Sequence, residues 1–414
     1  MNKKFYRLNR ANLIASLPYE KCMVVLSSGY EINRSADENY EFQVNNNFYY
    51  LTGIKQPNVH LIMLKENDRH VEILYIDEYD ELYEKWMGHR LTYQEASDIS
   101  GIYRSNISYI NSYEDDLLDF IDEYKVVCLD LETNKNTNHN SFGLALKDQL
   151  VVENKDVEIT DIYENIIVLR TSKHQEEVNE IKKAIETTRK GIECLMENVE
   201  EDMYEYQLEA FYDFMIKSDG NKPTAFKTIA AGGVNATTLH YTANNTKLKD
   251  GELVLFDLGC KSNGYCSDIT RTFPVNGKFT PLQKKIYNIV LKANKTICKV
   301  AKAGMTLRQL QEICIDVLTE GCLKAKLIKE KSEISKYYFH GVSHTLGLDT
   351  HDPCLRNKPL PVNAVITNEP GLYFAEYNIG VRIEDDLLLK EDKAINLSKN
   401  IIKSVSAIEK FMKK

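Results

Sequence analysis

One stretch constrains this chain more than any other. Residues 251–273 read GELVLFDLG, CKSNG and YCSDITRTF, with Asn263-Gly264 set between two alternating apolar runs. Asn-Gly tolerates the positive φ angles of a tight hairpin turn, so the two runs are predicted to pair as antiparallel strands. Residues that face each other in such a pair share one side of the sheet. With the turn centred on Ser262 to Gly264 and an even loop, Asp257 and Asp268 fall on the same face, as opposite or diagonal neighbours. Taken alone, Asp257 also reads as the start of a turn and Asp268 as a surface strand residue. An aspartate directly after LVLF argues against that, because a buried carboxylate without a partner or a metal is costly.

The rest of the chain supplies a setting for this hairpin. Residues 1–160 alternate short β-rich runs (KCMVVLSS, HLIMLKE, HVEILYID, YKVVCLDL) with polar helices, which predicts an α/β domain with a mixed sheet. The charged, irregular text at 152–166 reads as a linker. A long helix is expected from Ser172, as N-cap, to Asn198, with Ile181, Ala184, Ile185, Thr188 and Ile192 on its apolar face. Residues 161–414 read as a second domain in which helices enclose antiparallel strands.

Bulk properties exclude several classes. Hydrophobic residues make up 43% of the 414 and charged residues 27%, an ordinary globular composition. A net charge of −9 without a basic block gives no footing for nucleic acid. The basic start lacks the apolar core of a signal peptide, and no run reaches the length of a membrane helix. The nine cysteines are scattered and form no CxxC pair, so reduced thiols in the cytoplasm are expected, with Cys260 and Cys266 as small packing residues.

Three further residues extend the pair of aspartates. Glu369 follows the run AVIT and precedes Pro370-Gly371, and Glu384 follows Val381 and Ile383 in a predicted strand. After position 174 the chain has only four histidines, His240, His340, His344 and His351, and three of them fall within twelve residues. His344 is the candidate ligand, through a neutral ring nitrogen. The other three are candidate donors to substrate or to a developing oxyanion. Four carboxylates and one imidazole are too many for one structural metal. They suit two divalent ions that share bridging carboxylates and activate water, which makes the chain a candidate hydrolase. Arg382, two residues before Glu384, is placed to hold a ligand carboxylate.

The segments LHYTANN, LVLFDLG, GYCSDITRTFPVNGKFTPLQKKIYNIVL, HGVSHTLGLDTHD, NEPGLYF and GVRIEDD, in this order, resemble the creatinase/aminopeptidase P family of pita-bread metallohydrolases, and within it the bacterial Xaa-Pro aminopeptidases. NRSADENYEFQVNNNFYYLTG and LYEKWMGHRL resemble that family's N-terminal domain. The resemblance implies a creatinase-like α/β domain followed by a pita-bread domain. It implies two divalent ions, manganese first and cobalt, zinc or iron as alternatives, with a hydroxide between them as nucleophile. Asp268 and Glu384 would bridge the ions, Asp257 would chelate one, and His344 and Glu369 would complete the other. Glu369 would also shuttle a proton. His240, His340, His351 and Tyr373 would meet the substrate, and Arg382 would steady Asp257. Trp86, the only tryptophan, and Asp37 would shape the site across the interface of a homodimer or homotetramer.

The implied reaction is release of an N-terminal residue from a peptide with proline second. This chain departs from the family pattern at Gln43-Val44, Phe226, Pro361–Ala364 and Asn368, but at none of the five ligands. A prolidase would need a cation for the dipeptide carboxylate, and only Arg356 and Lys358 are at hand between His351 and Glu369. A methionine aminopeptidase leaves the N-terminal domain unexplained. A metal-free creatinase-like enzyme, or a peptide-binding protein without catalysis, leaves the five ligands unexplained.

Overall fold

The computed structural model describes residues 1–133, 141–153, 155–220 and 222–413. They divide into two compact units, Met1–Arg170 and Thr171–Lys414.

In the first unit, β1 (Lys21–Ser27), β2 (His60–Glu66), β3 (Arg69–Ile76), β4 (Ile107–Tyr109), β5 (Val126–Leu129) and β6 (Glu158–Asp161) form one sheet, ordered β4-β3-β2-β1-β5-β6. β1 runs antiparallel to β2 and parallel to β5, so the sheet is mixed, as the alternation of elements predicts. Six consecutive residues of β1 are buried, which is the pattern of a central strand covered on both faces. Met23, Val25, Ile62, Leu64, Val127 and Leu129 form part of the core on one face. The segment read as a linker holds β6 and the start of a helix, Tyr163–Thr171 (Asn154 lies outside the described residues). Ile159 pairs with Val127 and, with Val157, packs on that core, apolar anchors that charged neighbours hide in the sequence. The short helix α1 (Glu81–Met87) buries none of its residues.

The second unit opens with α2 (Gln175–Asn198), which starts three residues after Ser172. The Glu177 carboxylate accepts the His174 backbone N–H at 2.7 Å, while the Ser172 hydroxyl donates to the Val362 carbonyl. Its predicted apolar face, including Ile181, Ile185 and Ile192, is buried. α3 (Glu205–Ser218) packs beside it. The strands are β7 (Ile229–Gly232), β8 (Leu253–Leu258), β9 (Lys261–Ser262), β10 (Tyr265–Cys266), β11 (Ile269–Pro274), β12 (Val365–Asn368), β13 (Gly371–Phe374), β14 (Ile379–Arg382), β15 (Asp385–Leu389) and β16 (Ala394–Asn396). They build four small sheets, β11-β8-β7, β9-β10, β12-β15-β16 and β13-β14, with every pairing antiparallel. α4 (Pro281–Val300) and α5 (Leu307–Lys324) flank them, each begun by a threonine–glutamine capping box. Short antiparallel sheets covered by helices are the pita-bread arrangement.

Candidate metal centre

The hairpin folds on the expected turn. Asn263 and Gly264 have φ of 47° and 88°, and Ser262 faces Tyr265 across them. The same register puts Asp257 opposite Thr270 and Leu258 opposite Ile269. Asp268, just before β11, is therefore the diagonal neighbour of Asp257. Between the two ladders the arms close up: a Cβ on Gly259 would lie 1.9 Å from the Ser267 carbonyl oxygen, so no other residue fits there. Phe226 also packs against this glycine.

The other three residues arrive from distant segments. The His344 and Thr367 backbones are tied together, since the Thr367 N–H donates to the His344 carbonyl at 2.9 Å and the His344 N–H to the Thr367 hydroxyl at 3.1 Å. The Glu369 N–H continues this pairing, to the Val342 carbonyl at 2.9 Å. Glu384 does not lie within a strand. The run from Ile379 to Leu389 breaks at Ile383–Glu384, where the chain leaves the β13-β14 sheet and enters the β12-β15-β16 sheet. In that gap the Glu384 N–H donates to the Thr270 carbonyl at 3.1 Å, and the Thr270 hydroxyl donates to Glu384 Oε2 at 2.7 Å.

Asp268, His344 and Glu384 each offer one ligand atom, all within 4.8 Å of one another. His344 Nε2 lies 3.4 Å from Asp268 Oδ2 and 3.4 Å from Glu369 Oε1. Its Nδ1 lies 3.1 Å from the Thr345 carbonyl, which assigns the proton to Nδ1 and leaves the Nε2 lone pair facing the carboxylates. Asp257 Oδ2 receives Arg382 Nη2 at 2.6 Å, whereas its Oδ1 is buried with no hydrogen-bond partner. The same guanidinium donates to the Thr270 hydroxyl at 3.0 Å and to the Tyr373 hydroxyl at 3.1 Å.

Charge dominates this cluster. Burial lifts the Asp268 carboxyl well above its usual range, and the charges of Asp257, Asp386 and Glu369 add to the lift. Burial followed by Asp268 does the same to Glu384, and burial lifts Glu369. One guanidinium cannot balance four carboxylates in such a place. Divalent cations would balance them, and would give the orphaned Asp257 Oδ1 a partner as well. Oxygen-rich donors with one imidazole fit that need.

Around the carboxylates, Tyr373 links Arg382 to His340, with its hydroxyl 2.8 Å from His340 Nε2. His340 Nδ1 donates to the Gly341 carbonyl at 2.8 Å, so both ring nitrogens are engaged. Burial pushes the His340 pKa down to about 4, which keeps the ring neutral. His351 has its ring 4.2 Å from that of His344 and is also pushed down to about 4, by burial and then by His344. His240 is exposed, and its charge is felt at both of these rings. Trp86, 81% exposed, and Asp37, also exposed, both lie in the first unit.

Sequence reasoning missed three residues. Thr270 joins Arg382 to Glu384, Thr367 joins His344 to Glu369 (3.2 Å to Oε1), and buried Asp386 accepts the Asp268 N–H at 3.3 Å. Thr270 had a signal, because it follows Asp268 by two residues on the same arm and so shares its face. Asn368, one of the departures, donates to the Asn294 carbonyl and to Cys298 Sγ, behind Glu369.

Comparison with known proteins places the chain. The family model of metallopeptidase family M24 matches residues 179–391, and that of the aminopeptidase P N-terminal domain matches residues 6–128. The Xaa-Pro aminopeptidase of Escherichia coli K12 is 32% identical over 92% of this chain and 91% of its own length. A Bacillus anthracis structure described as a candidate aminopeptidase P superposes with a TM-score of 0.96 at 43% identity, over 100% of this chain and 98% of that one. Zinc-substituted E. coli aminopeptidase P in complex with product gives 0.90 at 28% identity, over 100% and 98%. With matches of this extent in both halves, the chain belongs to metallopeptidase family M24 and carries an aminopeptidase P N-terminal domain.

Proposed function

We propose that this protein is a metal-dependent aminopeptidase that cleaves the bond between an N-terminal residue and a following proline. The observation that carries the reading is the cluster of four carboxylates and one imidazole, buried at Asp268 and Glu384 and half-buried at the other three, held by Arg382 and short of positive charge. Asp257, Asp268, His344, Glu369 and Glu384 would hold two divalent ions, with Asp268 and Glu384 shared between them. When bound, the ions supply Lewis acidity to the scissile carbonyl and lower the pKa of a water. Manganese suits the oxygen-rich donors.

The residues of the chain do the rest. Glu369 Oε1 accepts from Thr367, which leaves Oε2 as the oxygen that takes a proton and passes it to the departing proline nitrogen. His240, an exposed residue, and His351, beside the His344 ring, would meet the substrate backbone. His340 has no N–H to spare in this arrangement and orients Tyr373 instead. An Xaa-Pro bond is a tertiary amide without an N–H, so a site that works on the carbonyl and the free N-terminus suits it.

A manganese-loaded digest of an Xaa-Pro-Xaa peptide, an Xaa-Pro dipeptide and a Met-Ala peptide tests the reading. Release of the first residue from the Xaa-Pro-Xaa peptide is expected. Cleavage confined to the dipeptide would make the protein a prolidase, and cleavage of none would end the peptidase reading.

Arg382→Ala is expected to lower metal affinity and kcat/KM by about 10- to 100-fold, because Asp257 loses the cation that holds it at 2.6 Å. Arg382→Lys should not restore them, since a lysine cannot reach Asp257, Thr270 and Tyr373 together. Metal titration decides: parental affinity in the alanine variant would sink the assignment.

A homo-oligomer completes the proposal, with Trp86 and Asp37 shaping a neighbour's site. An indole left 81% exposed on α1 supports it. Trp86→Ala that changes neither assembly nor preferred peptide length would remove it. Nine free cysteines support a reducing cytoplasm, and among the described residues no helix is long and apolar enough to cross a membrane.

A further inference from the structure

Glu205, the first residue of α3, is fully buried, yet its carboxylate faces neutral donors rather than a cation. Oε1 accepts from the Gly232 N–H at 2.8 Å and from Asn235 Nδ2 at 3.0 Å. Oε2 accepts from the Tyr241 hydroxyl at 2.8 Å and from the Thr246 N–H at 2.9 Å. The Glu205 N–H returns a bond to the Thr246 carbonyl at 3.0 Å. The carboxylate thus takes two donors on each oxygen. All four come from one stretch of chain, Gly232 and Asn235 at its entry and Tyr241 and Thr246 at its exit. Between them lies His240, exposed.

A second anchor sits nearby. Buried Asn244 accepts the Ala230 N–H at 3.0 Å and donates to the Thr228 carbonyl at 2.9 Å. The exit of the stretch is therefore pinned twice, to α3 and to the approach of β7. Apolar packing would suffice to join α3 to this sheet. A buried carboxylate with four bonds adds direction, because each bond constrains an angle as well as a distance.

We propose that Glu205 is a positioning residue, whose buried carboxylate holds residues 232–246 in the conformation that presents His240 to the substrate. The inference rests on the aminopeptidase reading, in which His240 contacts the peptide. Glu205 touches neither the carboxylate cluster nor, by this account, the substrate; it acts through the loop.

Glu205→Gln keeps the shape and turns an amide NH₂ toward two donors. In the manganese-loaded full chain it is expected to lower kcat/KM on an Xaa-Pro-Xaa peptide by roughly 10- to 100-fold. In a His240→Ala background the same change should cost less than about threefold, because the residue it positions is gone. Amide exchange should quicken across 232–246 and nowhere else, and bound manganese should be unchanged. An equal loss in both backgrounds, or unaltered exchange in the loop, would overturn the proposal. Should Glu205→Gln fail to fold, Tyr241→Phe removes a single donor and is expected to give a smaller loss of the same pattern; parental kinetics and exchange in it would also overturn the proposal. A parent protein inactive on every peptide sinks the aminopeptidase reading, whereas an active parent with an unaffected Glu205→Gln sinks the clamp alone.

Discussion

Asp268→Ala is expected to lower kcat/KM on an Xaa-Pro-Xaa peptide by on the order of 10³-fold or more, about 4 kcal/mol of transition-state stabilisation. It should leave the metal-free fold no less stable than the parent. Both expectations come from one location. Asp268 Oδ2 stands 3.4 Å from His344 Nε2, and the carboxyl is buried among Asp257, Asp386 and Glu369. On the proposed reading Asp268 would be shared between two ions, so its removal would disturb both. The same carboxylate, without metal, is crowded by like charges, so its loss relieves repulsion that offsets the small cavity it leaves. Kinetics with manganese, together with thermal unfolding in chelator, test the pair of statements. Turnover within tenfold of the parent would break the bridging assignment. A large loss of stability in chelator would make Asp268 a structural residue instead.

Metal removal should have a larger effect on stability at alkaline than at neutral pH. Asp268, Glu384 and Glu369 carry raised pKa values in the metal-free fold, through burial and then mutual charge. Above the ordinary carboxylate range the folded state therefore holds more protons than the unfolded chain. Stability contributed by those protonated groups falls as pH rises through the raised values. His340 and His351 act in the opposite sense, because both are depressed to about 4. The unfolded chain takes up protons first, so they cost stability as pH falls below about 6.5. The carboxylates are best isolated above about pH 6.5, where these two rings are largely neutral in the folded and the unfolded chain alike, as pH rises through the raised values. Over that window the stripped protein should lose stability, while the loaded protein gains, since deprotonated ligands bind metal more tightly. At a hundred times Kd the metal contributes about 2.7 kcal/mol. The gap in Tm between loaded and stripped protein should widen as pH rises. A gap that stays constant or narrows would mean that these carboxylates do not hold the metal.

The hairpin shows how far local reasoning reaches. Asn263-Gly264 and the two-residue period of its arms suffice to put Asp257 and Asp268 on one face, as opposite or diagonal neighbours, and the register of the folded hairpin makes them diagonal. The same kind of reasoning failed where a local signal was weak or ambiguous. Ser172 is a good cap by type, but the Glu177 carboxylate bonds the His174 N–H and moves the helix start. Val157 and Ile159 are two apolar residues among charges, too little to announce a strand until β5 offers Ile159 an edge. Val381 to Leu389 reads as one continuous strand, and nothing in its alternation marks the break at Ile383–Glu384.

The sequence by itself determined the chemistry available: four carboxylates and a histidine at suitable spacings, an arginine near them, and the antiparallel ribbon that carries the first two. It also determined, through resemblance to a family, that these groups belong together. Only the tertiary structure decided how they meet. Thr270 bonds Glu384 from 114 positions away, and Arg382 reaches Asp257 across 125. His340 commits both nitrogens to Gly341 and Tyr373, and Glu205 gathers the stretch that bears His240. The physical reason is that periodicity and turn chemistry act over a few residues and set which side of an element a group faces. Which elements then face one another is decided by burial of the whole core, and buried polar groups must find their partners inside it.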